Sequence, residues 1–134
     1  MSHLVLELRQ GEMMVVNGAT ILFRNKCRIE LVSHARFLFG KQIMVAHEAE
    51  TSIRRLYYKL QIAYVGPVED RAEATDDVRT LLTELRQAAV GDVAIALAGV
   101  ADAFEVEDFY KALKLLRMLV RDEKADSSPD TDTS

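Results

Sequence analysis

The stretch VVNGATILFRNKCRIEL, from Val15 to Leu31, decides the first part of the fold. Its Asn17-Gly18 pair is a strong signal for a two-residue hairpin turn, because both positions tolerate a positive φ. Apolar residues alternate with other residues around this turn, which is typical of half-buried strands. The pattern predicts strands at residues 13–16, 19–23 and 27–32.

The loop between the last two of these strands fixes their expected register. A two-residue loop at Asn25-Lys26 would mix apolar and charged faces, whereas a three-residue loop that also includes Arg24 keeps one apolar face. The three-residue loop pairs Phe23 with Cys27, Ile21 with Ile29 and Ala19 with Leu31. We therefore expect the side chains of Cys27, Ile29 and Leu31 to face the core.

More strands and then helices are predicted along the chain. Leu4, Leu6 and Leu8 alternate with other residues, which predicts a strand before a turn at 10–12, and residues 37–45 predict one or two more around Gly40. From residue 51 the apolar period is helical. The first helix is capped by Thr51 or Ser52 and ends at Gly66-Pro67, and three more are expected at about 70–89, from an Asp92 cap after Gly91, and at about 106–123. The inward residues are predicted to be Ile53, Leu56, Tyr57, Leu60, Ala63, Tyr64, Val78, Leu81, Leu82, Leu85, Val93, Leu97, Val100, Phe104, Phe109, Leu113, Leu116 and Val120.

Strands followed by helices predict an α+β fold, in which N-terminal antiparallel β-hairpins form a small sheet and about four α-helices form a C-terminal layer. Parallel βαβ units are not indicated. We expect a β-rich basic region at residues 1–48, a helical region at 49–124 that shares one core with it, and a disordered acidic tail at 125–134.

Charge is distributed unevenly along the 134 residues. The net charge of the chain is −4. Residues 1–60 hold nine Lys or Arg and five Asp or Glu, whereas residues 61–134 hold eight and sixteen. A basic first half suggests an anionic partner, although uneven scatter of surface charge gives the same pattern.

Several functional classes find no support in the sequence. The motif HEAET at His47 lacks the second His of a zinc-protease helix, and His3 and His34 are scattered, so no metal site is predicted. No phosphate loop, serine elbow or Cys-His dyad is present, which argues against an enzyme. No secretory signal or membrane span is seen, and a single cysteine, Cys27, fits a reducing cytosol. Cys27 itself is expected to be a small buried hydrophobe on a strand, with a reactive thiol as the alternative.

Cations and an aromatic ring occur together on the first helix. Its buried stripe leaves Arg54, Arg55, Tyr58 and Lys59 pointing elsewhere. Such a set suits single-stranded nucleic acid, which needs charge for phosphate and a π-face for an unstacked base. A solvated helix face with Tyr58 half-buried is the alternative. The candidate RNA-binding residues are Arg24, Lys26, Arg28, Arg54, Arg55, Tyr58 and Lys59.

The last helix is expected to pack first and to bind a protein partner second. Lys114, Arg117 and Arg121 follow one stripe, where cations are stabilised by the negative end of the helix dipole. Leu115 and Met118 widen its apolar surface beyond one face, as in a helix covered by a neighbour or a partner. The candidate partner-binding residues are Lys111, Leu115 and Met118.

Four blocks in order give the chain a family resemblance. They are VNGATI (16–21), the Arg24-Asn25 turn, RRLYYKLQIAYVGP (54–67) and DFYKALKLLRMLV (108–120). Together they resemble the FlbT family, the flagellar biosynthesis repressors, over residues 4–123. Lys26 departs from the family pattern, which has Gly after the Asn of that turn. Arg55, Tyr57 and Tyr58 match a shared Arg-x-Tyr-aromatic block, which marks a segment and assigns no contact.

The resemblance implies a small cytoplasmic post-transcriptional regulator without a cofactor or catalytic residues. Such a protein would bind the 5′ untranslated region of flagellin mRNA and lower its translation or stability. The alternative is a protein-interaction module, or chaperone-like adaptor, that binds flagellin or the small flagellar protein FlaF and affects mRNA only indirectly. An edge strand such as residues 4–8 could also pair across a homodimer.

Overall fold

The structure is a computed structural model that describes residues 4–32 and 35–126. Its strands precede its helices, so the predicted α+β class is confirmed. The strands are β1 (Leu4–Leu8), β2 (Met13–Val16), β3 (Ala19–Leu22), β4 (Cys27–Leu31) and β5 (Phe37–Phe39). The α-helices are α1 (Ser52–Val65), α2 (Val68–Ala88), α3 (Gly91–Glu105) and α4 (Phe109–Asp126).

The first hairpin forms as predicted. β2 and β3 pair antiparallel with Val16 opposite Ala19, so Asn17 and Gly18 make a two-residue turn with φ of 50° and 86°. The turn packs on the end of α1, since the Gly18 amide donates to the Val65 carbonyl at 2.6 Å. A Cβ at Gly18 would lie 3.1 Å from the Pro67 Cα, so the close approach also requires glycine there.

The predicted pairing of the next two strands is wrong. β4 pairs with β1, with Leu6 opposite Ile29 and Leu8 opposite Cys27, and these two strands form a separate sheet. β3 is instead an edge of a three-stranded sheet in the order β3-β2-β5. Alternation specifies which face of a strand is buried but not which strand lies beside it. The predicted face of β4 accordingly survives, with Cys27, Ile29 and Leu31 half-buried and the residues between them exposed.

One detail of the strands differs from expectation, since Leu4 was expected to be buried with Leu6 and Leu8 but is 46% exposed. Of the one or two strands predicted at residues 37–45, one forms: after β5, Gly40 has a φ of 57° and begins a single 3-10 turn. The Gln61 side chain bonds both the amide and the carbonyl of Met44, at 2.8 and 2.9 Å, which replaces the hydrogen bonds of a strand ladder.

α1 begins and ends where predicted, whereas α3 and α4 begin at other residues than predicted. Thr51 caps α1 by accepting a hydrogen bond from the Arg54 amide at 3.1 Å. Asp92 was predicted to cap α3 but lies inside its first turn, and Val93, expected inward, is exposed. α4 begins at Phe109 rather than 106, because Glu107 adopts a φ of 61° and breaks the chain direction after α3.

Two apolar clusters hold the fold together. The larger combines the four α-helices with Leu38 and Met44, and the smaller centres on Leu6, Leu8 and Met14. Most predicted inward helix residues are buried, whereas Tyr64, Leu81, Leu85, Phe109 and Val120 are half-buried. None of the helices in the described ranges is long and apolar enough to cross a bilayer. His3, His34 and residues 127–134 of the predicted tail lie outside the described residues.

Candidate nucleic-acid interface

The three cations of the predicted hairpin tip lie where the chain passes between the two sheets. Arg24 and Lys26 are on the exposed segment that connects β3 to β4, and Arg28 is on the outer face of β4. Among residues 4–32 and 35–126, no ion pair or hydrogen bond engages these three side chains. Their charges are therefore available to an anionic ligand.

The candidate residues on α1 are already engaged within the protein. Lys59 Nζ lies 3.1 Å from Asp77 Oδ2 of α2. Arg55 donates to the Glu50 carbonyl at 3.3 Å and to the Ser52 hydroxyl at 3.2 Å, both in its own segment. Tyr58 is half-buried against the larger core cluster, which leaves only part of its ring accessible.

Arg24, Lys26 and Arg28, which we call the hairpin cations after the predicted hairpin, belong to a different part of the fold from the α1 cations. β4 packs in the smaller apolar cluster, whereas α1 forms the centre of the larger one. Within the described part of the chain, no hydrogen bond or ion pair joins Arg24, Lys26 or Arg28 to α1. The candidate RNA-binding cations thus fall into two separate groups.

A groove between α1, α4 and residues 41–50 collects further cations around Arg54. We call it the basic groove, defined by Lys41, His47, Arg54, Arg117 and Arg121. Its volume is about 600 Å³. Two carboxylates also line it. One of them, Glu48, accepts a hydrogen bond from the Val45 amide at 3.0 Å and so caps the turn at residues 46–48.

The groove is held in shape by hydrogen bonds to the segment at residues 41–44. Arg117 donates to the Lys41 carbonyl, which ties α4 to this segment. The Tyr57 hydroxyl donates to the Gln42 carbonyl at 2.6 Å, which ties α1 to it. Burial raises the pKa of Tyr57, while the neighbouring Arg117 lowers it. The phenol therefore keeps its proton, and its role as a donor, at neutral pH.

Arg54 is the only residue of the predicted RNA-binding set that lines this groove. Its Nε lies 3.8 Å from Glu123 Oε1 on α4. The sequence placed Arg117 and Arg121 on one stripe but explained them by the helix dipole, and it placed Lys41 in a strand. Their spacing of four residues was a usable signal, whereas the approach of Lys41 depends on tertiary packing.

The candidate partner-binding residues lie on a different face of α4. Lys111 is exposed, Met118 is 58% exposed, and Leu115 is half-buried. Leu115 faces α3, since a Cβ at Gly99 would lie 3.7 Å from Leu115 Cδ1. Ile95 is one turn before Gly99 on the same face of α3 and is 73% exposed. An apolar strip therefore follows the seam between α3 and α4.

The described ranges contain no group of three or more His, Cys, Asp or Glu side chains that could hold a metal ion. Cys27 is half-buried on β4.

Comparison with known proteins identifies relatives over nearly the whole chain. A family model described as flagellar protein FlbT matches residues 4–125. A probable flagellum biosynthesis repressor protein FlbT 2 of Bradyrhizobium diazoefficiens is 30% identical over 125 residues, which covers 90% of this chain and 88% of the relative. Proteins named probable flagellum biosynthesis repressor FlbT from Chelativorans and Mesorhizobium japonicum are each 30% identical. Their alignments cover 85% and 87% of this chain and 79% of each relative. No solved structure matches.

Proposed function

The chain belongs to the FlbT family of flagellar proteins, and we propose that it represses flagellum biosynthesis after transcription by binding the 5′ untranslated region of flagellin mRNA. The relatives named as repressors support the regulatory role. The choice of flagellin leader RNA as the target rests on what the resemblance to FlbT implies. The proposed role is regulatory rather than catalytic and is carried out in the cytoplasm.

The observation that carries the proposal is the convergence of Lys41, Arg54, Arg117 and Arg121 in one groove. Each can contact a phosphate, and arginine can do so with two parallel hydrogen bonds. Glu48 and Glu50 line the same groove and Glu123 pairs with Arg54, so the groove holds these four cations against three neighbouring carboxylates. RNA is an anion long enough to contact all four positions.

Arg24, Lys26 and Arg28 form a second group of positive charge, separate from the groove. These three cations form no ion pair among the described residues, although Glu7 lies opposite Arg28 across the strand pair, and they would hold a second part of the same RNA. Arg55, Tyr58 and Lys59 lie on α1 and line no part of the groove. Lys59 must exchange Asp77 for phosphate, and Tyr58 offers only part of its ring for stacking. We therefore rank the groove and the hairpin cations above Tyr58 and Lys59 as contacts.

A reporter measures repression directly. A flagellin leader fused to a reporter gene is expressed in cells with the wild-type protein, with an Arg117→Gln/Arg121→Gln variant, or without the protein. The wild-type protein should lower reporter output, either by shortening the half-life of the mRNA or by lowering its translation. The variant should lose most of this effect. Equal output in all three strains would contradict the proposal. A leader of scrambled sequence is the control.

A second candidate function is favoured by the apolar strip at Ile95, Leu115 and Met118. Exposed apolar side chains along a helix seam suit a protein partner such as flagellin or FlaF, with an indirect effect on mRNA. Co-purification with flagellin or FlaF that is lost with Met118→Lys but kept with Arg117→Gln would favour this function. Co-purification that survives Met118→Lys, or none with the wild-type protein, would count against it.

A further inference from the structure

A second cavity lies on the part of the molecule where the α1–α2 turn meets the α3–α4 turn. We call it the aromatic-arginine pocket, defined by Arg36, Tyr64, Arg71, Glu107, Asp108 and Tyr110. Its volume is about 870 Å³, within the range of small-molecule sites. It shares none of its lining residues with the basic groove.

One wall of this pocket carries a guanidinium with an unused donor. Arg71 Nε donates to the Gly66 carbonyl at 2.8 Å, which fixes the side chain at the end of α1. Its Nη2 is buried, and among the described residues it has no hydrogen-bond partner. Arg71 lines the pocket, and a phosphate oxygen is a natural acceptor for arginine, with Nη2 itself reached only after the side chain shifts.

A second arginine and aromatic rings lie beside it. The Arg36 guanidinium sits 5.5 Å from the centroid of the Tyr64 ring and 5.8 Å from that of Phe109. The rings of Tyr64 and Tyr110 are 6.0 Å apart, and Tyr110 is 38% exposed. Lys114 Nζ lies 5.7 Å from the centroid of the Tyr110 ring, and the Gln42 side chain donates to the Tyr110 hydroxyl at 3.2 Å. A planar anionic group would stack on the part of the ring that these contacts leave accessible.

The opposite wall is acidic. Glu107 and Asp108 lie in the connection between α3 and α4, and neither forms an ion pair with Arg36 or Arg71 among the described residues. Asp108 uses one carboxylate oxygen to accept from the Lys111 amide at 3.2 Å. Glu107 holds a φ of 61° as the left-handed residue that ends α3, where the Asp108 amide donates to the Ala103 carbonyl at 2.9 Å. A bare anion would be repelled by these carboxylates.

We propose that the aromatic-arginine pocket binds a nucleoside monophosphate group. The phosphate contacts Arg71 and Arg36, the base packs on Tyr110, and the ribose hydroxyls or base amino groups donate to Glu107 and Asp108. This ligand has an anionic end, a ring and donors, which are the three properties that the pocket walls require. The group is either a free nucleotide or the phosphorylated end of an RNA. The site goes beyond the proposed function, because it is separate from the basic groove.

Calorimetric titration of the full chain with AMP, GMP, CMP and UMP tests this proposal. We expect at least one nucleotide to bind, with inorganic phosphate and the matching nucleoside each binding at least about tenfold more weakly. Arg71→Gln should weaken nucleotide binding about tenfold or more. Arg79→Gln, the same change two turns away on α2 and outside the pocket, should leave it unchanged.

A second pair of variants keeps the test valid if Arg71→Gln fails to fold. Tyr110→Phe retains the ring and should bind nucleotide like the wild type, whereas Tyr110→Leu should lose binding. Failure of all four nucleotides to bind at millimolar concentration would overturn the proposal. So would equal binding of inorganic phosphate or of acetate, because the pocket would then select charge alone.

Short RNAs distinguish the two possible sources of the nucleoside monophosphate group, a free nucleotide and the phosphorylated end of an RNA. An oligoribonucleotide with a terminal phosphate that competes with the free nucleotide, while its unphosphorylated form does not, identifies an RNA end. If neither the phosphorylated nor the unphosphorylated oligoribonucleotide competes, the ligand is a free nucleotide. Arg121→Gln, which removes a groove cation without a hydrogen bond to residues 41–44, should leave nucleotide binding unchanged, so a failure of RNA binding in the groove and a failure of this pocket are distinguishable.

Discussion

Arg54 of α1 and Glu123 of α4 meet across the basic groove, with Arg54 Nε 3.8 Å from Glu123 Oε1. The same carboxylate oxygen accepts a hydrogen bond from the Thr51 hydroxyl at 2.8 Å. Thr51 also caps α1, so Glu123 links the start of α1 to the last turns of α4. The cation that RNA would use is therefore partly neutralised in the free protein.

Replacing Glu123 with Gln should raise RNA affinity about two- to fivefold, since Arg54 then no longer exchanges a carboxylate for a phosphate. Stability should fall by at most about 1 kcal/mol, because the pair is partly exposed. Filter binding and urea unfolding measure the two effects. Glu84→Gln on the exposed face of α2 is the matched control. Unchanged affinity in Glu123→Gln would show that Arg54 is not in contact with RNA.

Gln61 is expected to be the most sensitive polar residue of the core. Its side chain satisfies both the amide and the carbonyl of Met44, and it is itself only 8% exposed. Gln61→Leu leaves two buried backbone groups unpaired, so the free energy of unfolding should fall by about 2–4 kcal/mol. Urea unfolding checks this value. Gln87→Leu, an exposed change on α2, should alter stability by less than about 0.5 kcal/mol.

Tyr57 should make the protein less stable at alkaline pH. Burial raises its pKa above the ordinary value of 10.0, while Arg117 lowers it, so the folded chain holds this proton where the unfolded chain has lost it. The stabilisation is fully present below about pH 10 and is lost as pH rises toward the folded pKa. Tyr57→Phe should cost about 1 kcal/mol at pH 7 and should flatten the alkaline decline. Urea unfolding from pH 8 to 11 measures it.

Part of this alkaline decline should remain in Tyr57→Phe. Burial also raises the pKa of Tyr64, with Arg36 opposing it, so Tyr64 contributes a loss of the same sign. The double variant with Tyr64→Phe should be nearly independent of pH in this window. An alkaline slope in the double variant equal to that of the wild type would contradict the assignment to these two phenols.

Replacing Glu107 with glycine should make the protein more stable and its nucleotide binding weaker. Its φ of 61° is costly for glutamate and easy for glycine. Glu107→Gly should raise the free energy of unfolding by up to about 1 kcal/mol and weaken nucleotide binding in the aromatic-arginine pocket. Glu105→Gly, inside the last turn of α3, should instead destabilise by about 1 kcal/mol. Thermal unfolding and calorimetry of both variants decide between these outcomes.

Local signals in the sequence were reliable where a short segment determines its own conformation. The Asn17-Gly18 turn and both ends of α1 were predicted from residues that lie within or beside them. The partner of β4 was not, because β1 and β3 both offer an alternating apolar face and only tertiary packing selects between them. The class of the fold was predictable because the change from strand to helix period is strong.

The candidate site was predictable only in part for the same reason. Arg54 was identified from its own helix, whereas Lys41 and Arg117 come together through a hydrogen bond that the Arg117 side chain donates to the Lys41 carbonyl, between segments far apart in sequence. The aromatic-arginine pocket combines Arg36 with Arg71 and Tyr110, which are far apart in sequence. No spacing rule along the chain connects such residues.

The central claim is that flagellin leader RNA binds the basic groove, and a salt titration of filter binding tests it most directly. Contacts from Lys41, Arg54, Arg117 and Arg121 predict a slope of log affinity against log salt of roughly −3 for single-stranded RNA. Arg117→Gln and Arg121→Gln should each reduce the magnitude of this slope by roughly 0.7, and Arg79→Gln should not. A slope near zero, or unchanged binding in the Arg117→Gln/Arg121→Gln variant, would contradict the claim.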